Sequence, residues 1–153
     1  MRNVKVFIKK EAAAEGLPLP CYQTPGSSGL DLHAAVETSV EILPGETKLI
    51  STGISMSIPE GDEGEVRPRS GLALNHGITL PNSPGTIDSD YRGIISVIMT
   101  NLGKKPFVVQ RGMRIAQLVI HPVVRAELEV VPSLDETTRA GKGFGHTGIG
   151  TNG

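Results

Sequence analysis

Glycine and proline interrupt this chain at short intervals: 19 of the one and 11 of the other in 153 residues, about a fifth of the sequence against a usual share near 12%. Such punctuation cuts a chain into short pieces and favours strands and turns over long helices. Between the breaks, apolar and polar residues alternate with a period of two, the pattern of a half-buried strand. Ile54-Ser55-Met56-Ser57-Ile58, stopped by Pro59, is the clearest case. The same alternation predicts strands over residues 4–8, 46–50, 94–99, 107–109, 115–120 and 127–131. Turn pairs such as Pro44-Gly45, Pro84-Gly85 and Arg111-Gly112 separate them, and many short strands with regular turns predict a sandwich, jelly roll or barrel. One short helix is expected over residues 70–75, with Ser70 as N-cap or first-turn residue. Only five residues are aromatic and none is Trp, so Val, Ile and Leu must build the core.

The length fits one domain. A single cysteine, Cys21, excludes an intrachain disulfide framework and suits a reducing compartment. Fifteen Lys and Arg stand against 16 Asp and Glu, so no broad attraction to nucleic acid or to a membrane surface is expected. A polyanion would have to be held by a few placed cations. Residues 1–8 run into a strand pattern without the apolar core of a signal peptide, and no stretch approaches the roughly 18 apolar residues of a membrane span. A cytoplasmic protein is expected. Residues 139–153 differ in kind: six are glycine and Phe144 is the only large aromatic, too little apolar surface to fold alone. The expected organisation is one domain over residues 1–138 and a mobile arm over 139–153 that orders on binding.

Five segments carry the residues from which chemistry could be built. In Gly85-Thr86-Ile87-Asp88-Ser89-Asp90-Tyr91-Arg92-Gly93, glycines bracket two carboxylates, a tyrosine and an arginine. Asp88 and Asp90 could satisfy turn amides in an ordinary hairpin, or one of them could activate water beside a backbone that reads a flat ligand. In Pro68-Arg69-Ser70-Gly71-Leu72-Ala73, free amides at a helix start and a planar guanidinium suit phosphate, although a capped surface helix reads equally well. Gly29-Leu30-Asp31-Leu32 is weak alone, and Gln117 within Arg114-Ile115-Ala116-Gln117-Leu118 reads as a solvent-facing side chain. In the tail, Arg139 and Phe144 among glycines suggest a lid, with the ring stacking on a base and the guanidinium reaching a phosphate.

Taken jointly, in this order and across residues 29–148, these segments resemble the five motifs of the trimeric dUTPases. The resemblance implies an all-β, jelly-roll-like β-barrel of short strands with one short helix and a flexible C-terminal arm. It implies a homotrimer with three shared active sites, each arm lying over a site formed by the other two subunits. The implied reaction is hydrolysis of dUTP to dUMP and pyrophosphate by Mg²⁺-assisted attack of water on the α-phosphorus. That reaction keeps uracil out of DNA and supplies dUMP for thymidylate synthesis.

By position, the resemblance makes Asp88 the base that deprotonates water and Tyr91 the ring that excludes a ribose 2′-hydroxyl. Asn82 and the backbone of Gly85, Thr86 and Ile87 would read uracil. Arg69, Ser70, Gly71 and Gln117 would hold phosphates. Asp31 would reach the metal indirectly, through water. Arg139 would take the γ-phosphate, while Phe144 and Gly145 would cover the base. Ala140 departs from the family pattern, in which glycine follows the arginine.

Two other readings compete. A dCTP deaminase shares the implied fold but needs a further glutamate beside the base, and Glu63 and Glu65 lie before Arg69 rather than in such a place. A non-catalytic nucleotide binder would have no use for Asp88, Arg69, Arg139 and Phe144 together.

Overall fold

The computed structural model describes residues 3–143. Within them lie eleven strands: β1 (Phe7–Lys10), β2 (Leu30–His33), β3 (Val40–Ile42), β4 (Thr47–Ser51), β5 (Ile54–Ser57), β6 (Asp62–Arg67), β7 (Ile78–Thr79), β8 (Gly85–Ile87), β9 (Ser96–Asn101), β10 (Phe107–Val109) and β11 (Arg114–Pro122). One helix, α1 (Ser70–His76), and one 3-10 turn (Ala12–Ala14) complete the regular structure among the described residues. No helix there is long and apolar enough to cross a membrane. The strands form antiparallel sheets ordered β2-β11-β6-β8, β4-β9-β7, β1-β5 and β10-β3. Most neighbours are distant in sequence, which gives the all-β, jelly-roll-like architecture.

Alternation located β4, β5, β9, β10 and β11 to within about two residues. The first strand is displaced to Phe7–Lys10, where it pairs with β5 from Phe7↔Ser57 to Lys10↔Ile54. The strand expected over 127–131 is absent. After Val123, whose amide donates to the Gly61 carbonyl, the chain runs out with Val124, Leu128, Val130 and Leu134 exposed. A strand pattern without a neighbouring strand forms no ladder. The helix begins at Ser70, so Ser70 is a first-turn residue, while Arg69 occupies the N-cap position without a side-chain cap. Gly77, at φ 69°, closes the helix in the left-handed conformation that glycine tolerates best.

The core is aliphatic, as the composition requires: Leu32, Ile42, Ile50, Ile78, Ile95, Met99, Ile115 and Leu118 are fully buried, and Phe107 is the one aromatic ring among the buried hydrophobics. β6 escaped the hydropathy pattern because its inward residues are Asp62, Gly64 and Val66. Gly64 is there for space: a Cβ would lie 3.0 Å from the tips of both Ile58 and Leu118. The fully buried Asn101 ties three loops together. Its Nδ2 donates to the carbonyls of Ile42 and Lys105, each at 2.8 Å, and its Oδ1 accepts from the Gly103 amide at 2.8 Å. Asn101→Leu strands these groups without water, so chemical denaturation is expected to show a loss of about 3 kcal/mol. A loss below about 1 kcal/mol would mean that the loops find other partners.

Candidate active site

Strands β2, β11 and β6 lie side by side, with Gln117 opposite both Asp31 and Arg67. This brings Asp31, Gln117 and the turn after β6 to one end of the sheet. The nearly buried Asp31 carboxylate is held from two sides. Oδ1 lies 3.2 Å from Arg69 Nε, and Oδ2 accepts from Arg114 Nη1 at 3.1 Å. Arg69 Nη1 also donates to the Arg114 carbonyl at 3.1 Å. Gln117 Nε2 donates to the Pro68 carbonyl at 2.9 Å and so fixes the turn that leads into α1. Its carboxamide lies directly over Gly29, where any Cβ would collide with Oε1.

Around these groups is a hollow of about 340 Å³ that includes Ser70 and Gly71. The space above Gly71 is open, and amides at a helix start have no partner within the helix. Two guanidiniums and one carboxylate leave the hollow positive, which suits an anion with several phosphates. Burial lowers the pKa of His33 against the raising influence of Asp31; Arg114 and Arg69 lower it further. Its ring is therefore neutral at pH 7 and adds no charge here.

A second hollow of about 360 Å³ is formed by β8 and the turn that follows it. Asn82, Gly85, Thr86, Ile87, Asp88 and Tyr91 line it, over an apolar floor that includes Leu80, Val66 and Ile95. β8 is an edge strand, so one side of its backbone is free of the sheet. A Cβ at Gly85 would come within 2.9 Å of Asn82 Nδ2 and displace that carboxamide. The turn is tied internally: Tyr91 N donates to Asp88 O at 3.1 Å, and Arg92 Nη1 donates to the carbonyls of Ser89 and Tyr91 at 2.7 and 2.9 Å. The Tyr91 hydroxyl donates to Ile94 O at 3.1 Å and its ring covers Gly93, which leaves no room there for a side chain. Asp88 is exposed at the mouth.

The chain thus collects its expected site residues into two groups. Asp31, Arg69, Ser70, Gly71 and Gln117 form one; Asn82, Gly85, Thr86, Ile87, Asp88 and Tyr91 form the other, and the two hollows share no lining residue. Ile87 pairs with Gly64, which puts Asp88 level with Glu63, six residues along β6 from Arg69. At about 3.3 Å per residue of extended chain this offsets Asp88 from Arg69 by up to roughly 20 Å, while Gly85, opposite Val66, lies nearer. Arg139 is exposed, its Nε donating to Lys142 O at 3.0 Å, and joins neither group. Phe144 and Gly145 lie outside the described residues.

A dUTPase family model matches residues 15–148 of this sequence. This chain belongs to the dUTPase family. It is 55% identical to the deoxyuridine 5'-triphosphate nucleotidohydrolase of Caldanaerobacter subterraneus subsp. tengcongensis, over 96% of this chain and 99% of that protein. It is 52% identical to the enzyme of the same name from Beijerinckia indica subsp. indica, over 99% and 96% respectively. Among solved structures, the dUTPase of Staphylococcus bacteriophage 80alpha with dUpNHpp superposes with a TM-score of 0.84 at 25% identity, covering 95% of this chain and 99% of that one.

The residue that sequence reading passed over in this dUTPase is Arg114. Its signal was the apolar doublet Ile115-Ala116 between two polar residues, which breaks alternation. The Gly29–Gln117 packing is directly testable. Gly29→Ala should push the carboxamide off Pro68, loosen the turn at Arg69 and weaken nucleoside triphosphate binding by about 10-fold, the worth of one hydrogen bond, with little change in melting temperature. Titration calorimetry giving the parent affinity would show that the carboxamide need not sit there.

Proposed function

We propose that this protein hydrolyses dUTP to dUMP and pyrophosphate, as a homotrimer with shared active sites and Mg²⁺ as cofactor. The observation that carries the reading is Asp88 at the mouth of a hollow whose edge-strand backbone and asparagine suit a flat, hydrogen-bonding base. Family membership points to uracil as that base. Backbone N–H and C=O groups complement uracil's N3–H and carbonyls, while cytosine presents the reverse pattern, a mismatch worth about 10⁴ or more in selectivity. Tyr91 packs where the deoxyribose would enter and leaves no space for a 2′-hydroxyl.

The offset of up to roughly 20 Å between Asp88 and Arg69 supports shared sites. A base must come within hydrogen-bond reach of the attacking water, and that water must lie beside a phosphorus whose chain the cations hold. One chain does not bring Asp88 and Arg69 that close, so the Asp88 group of one copy would face the Arg69 group of another. The run of exposed apolar residues after Val123, ending in the 139–153 arm, supports contact with further copies and the delivery of Arg139 and Phe144 across them.

The donor set fits a metal held mainly by the substrate. Among the described residues no group of three His, Cys, Asp or Glu could hold an ion alone, and Mg²⁺ accepts phosphate oxygens, water and one or two carboxylates. Asp31 is the carboxylate placed to touch such a metal through water. Bound there, Mg²⁺ would supply charge neutralisation and polarise the attacked phosphorus. Asp88 takes the proton of water as its oxygen bonds to the α-phosphorus. The bond from that phosphorus to the bridging oxygen breaks, and pyrophosphate leaves with the electron pair. The proposed setting is the cytoplasm, where the reaction would lower dUTP and feed thymidylate synthesis.

Pyrophosphate release from dUTP, dCTP, dTTP and UTP, with Mg²⁺ and with EDTA, tests the activity; release from dUTP alone, dependent on metal, is expected. Ammonia from dCTP would favour the deaminase instead. Asp88→Asn should bind dUpNHpp as the parent does and turn over about 10²–10⁴ times more slowly; unchanged turnover removes Asp88 as base. A chain ending at residue 138 should remain a folded oligomer and lose about 10³ or more in rate. Full activity in that shortened protein refutes the lid.

A further inference from the structure

We infer that Thr137 is a positioning residue for Arg139: it closes two linked turns over residues 137–142 that order the guanidinium before substrate binds. The inference rests on the proposed dUTP hydrolysis and on delivery of Arg139 to a phosphate. It deepens both by saying how the start of the arm is organised. Two observations carry it: a closed set of hydrogen bonds around Arg139, and the backbone conformation of Ala140.

Four hydrogen bonds lie within these six residues. The Ala140 amide donates to the Thr137 carbonyl at 3.1 Å and to Thr137 Oγ1 at 3.0 Å. The Lys142 amide donates to the Arg139 carbonyl at 3.1 Å, and Arg139 Nε donates back to the Lys142 carbonyl at 3.0 Å. Every residue from 137 to 142 is exposed, so these bonds, and not burial, hold the segment. A guanidinium tied at Nε keeps the four N–H donors of Nη1 and Nη2, enough to take phosphate oxygens in parallel. A free arginine gives up much rotamer freedom when it binds; one already tied has less to lose.

The backbone supplies the second argument. Ala140 has φ 46° and is, among the described residues, the one residue other than glycine in the left-handed region. It is the first central residue of the second turn, where a positive φ calls for glycine. The left-handed conformation costs an alanine a factor of about 5 to 30 in population, so it persists where surrounding bonds over-determine it. The Ala140 amide is the group that Thr137 holds twice. Thr137 thereby offsets the strain at Ala140, and the turn at Ala140 is what returns the Lys142 carbonyl to Arg139.

The test is calorimetric binding of dUpNHpp and dUMP to the full-length protein with Mg²⁺, for the parent, T137V, T137S, A140G, R139A and the T137V/R139A double variant. All these positions are exposed, so the substitutions leave the core untouched. T137V keeps the shape of threonine without its hydroxyl. It should bind dUpNHpp about 3- to 10-fold more weakly, the worth of one hydrogen bond, with dUMP affinity kept. T137S restores the hydroxyl and should restore parent affinity. A140G relieves the strain and should bind dUpNHpp about 2- to 5-fold more tightly. In the R139A background T137V should cost nothing further, because the hydroxyl acts only through that guanidinium. Parent-like or tighter binding by T137V overturns the inference, tighter binding meaning that the turns withhold Arg139 instead of presenting it. So does an equal T137V loss for dUMP or in the R139A background, a T137S loss equal to that of T137V, or weaker binding by A140G. Parent-like binding by R139A overturns it together with the delivery of Arg139. If the parent binds dUpNHpp and does not turn over dUTP, the proposed function fails, while the cycle still decides the role of Thr137.

Discussion

The ladder between β6 and β11 is the member on which the rest of the molecule depends. It runs from Gln117↔Arg67 to Pro122↔Asp62 without interruption. On one flank β11 takes up β2, and with it Asp31; on the other, β6 takes up β8 and the turn that carries Asp88. The end of β6 feeds directly into Pro68, Arg69 and the helix. Inward, the same ladder contributes Val66 and Leu118 to the core. A stiff strand thus fixes both the composition of each group and the spacing between them.

Much of this was legible in the chain. Period two with frequent breaks identified an all-β fold, and the aliphatic core followed from the scarcity of aromatic residues. What escaped was structure whose inward residues are not hydrophobic. β6 turns Asp62 and Gly64 inward, and hydropathy cannot register a glycine chosen because Ile58 and Leu118 leave no room. The strand expected over 127–131 had the right pattern and no neighbour, since amphipathic alternation states a need for pairing without naming the partner. The motif residues could be singled out one by one in the sequence, yet their division into two groups depended on register, which a single sequence does not contain. Arg114 was hidden by a bulge whose written trace is two adjacent apolar residues.

Electrostatics here is a matter of placement. The chain carries a formal net charge of −1, yet one end of one sheet gathers two guanidiniums around a single carboxylate. Burying Asp31 without partners would cost several kcal/mol, and burying it between two arginines recovers that cost through charge-assisted bonds. The arrangement contributes little to stability beyond an apolar replacement of equal volume. What it supplies is a cationic surface whose shape exists before any ligand arrives, so little conformational freedom is left to lose on binding.

Tyr91 has an optical consequence. The chain has no Trp and only two tyrosines, so nearly all of its absorption and emission near 280 nm comes from Tyr22 and Tyr91. Tyr22 is exposed and lines neither hollow, whereas the Tyr91 ring forms part of a cavity wall. Any molecule that enters that cavity alters the surroundings of one of the two chromophores. The protein therefore reports its own occupancy in unlabelled solution, with a background that a tryptophan-containing relative of the same shape would drown.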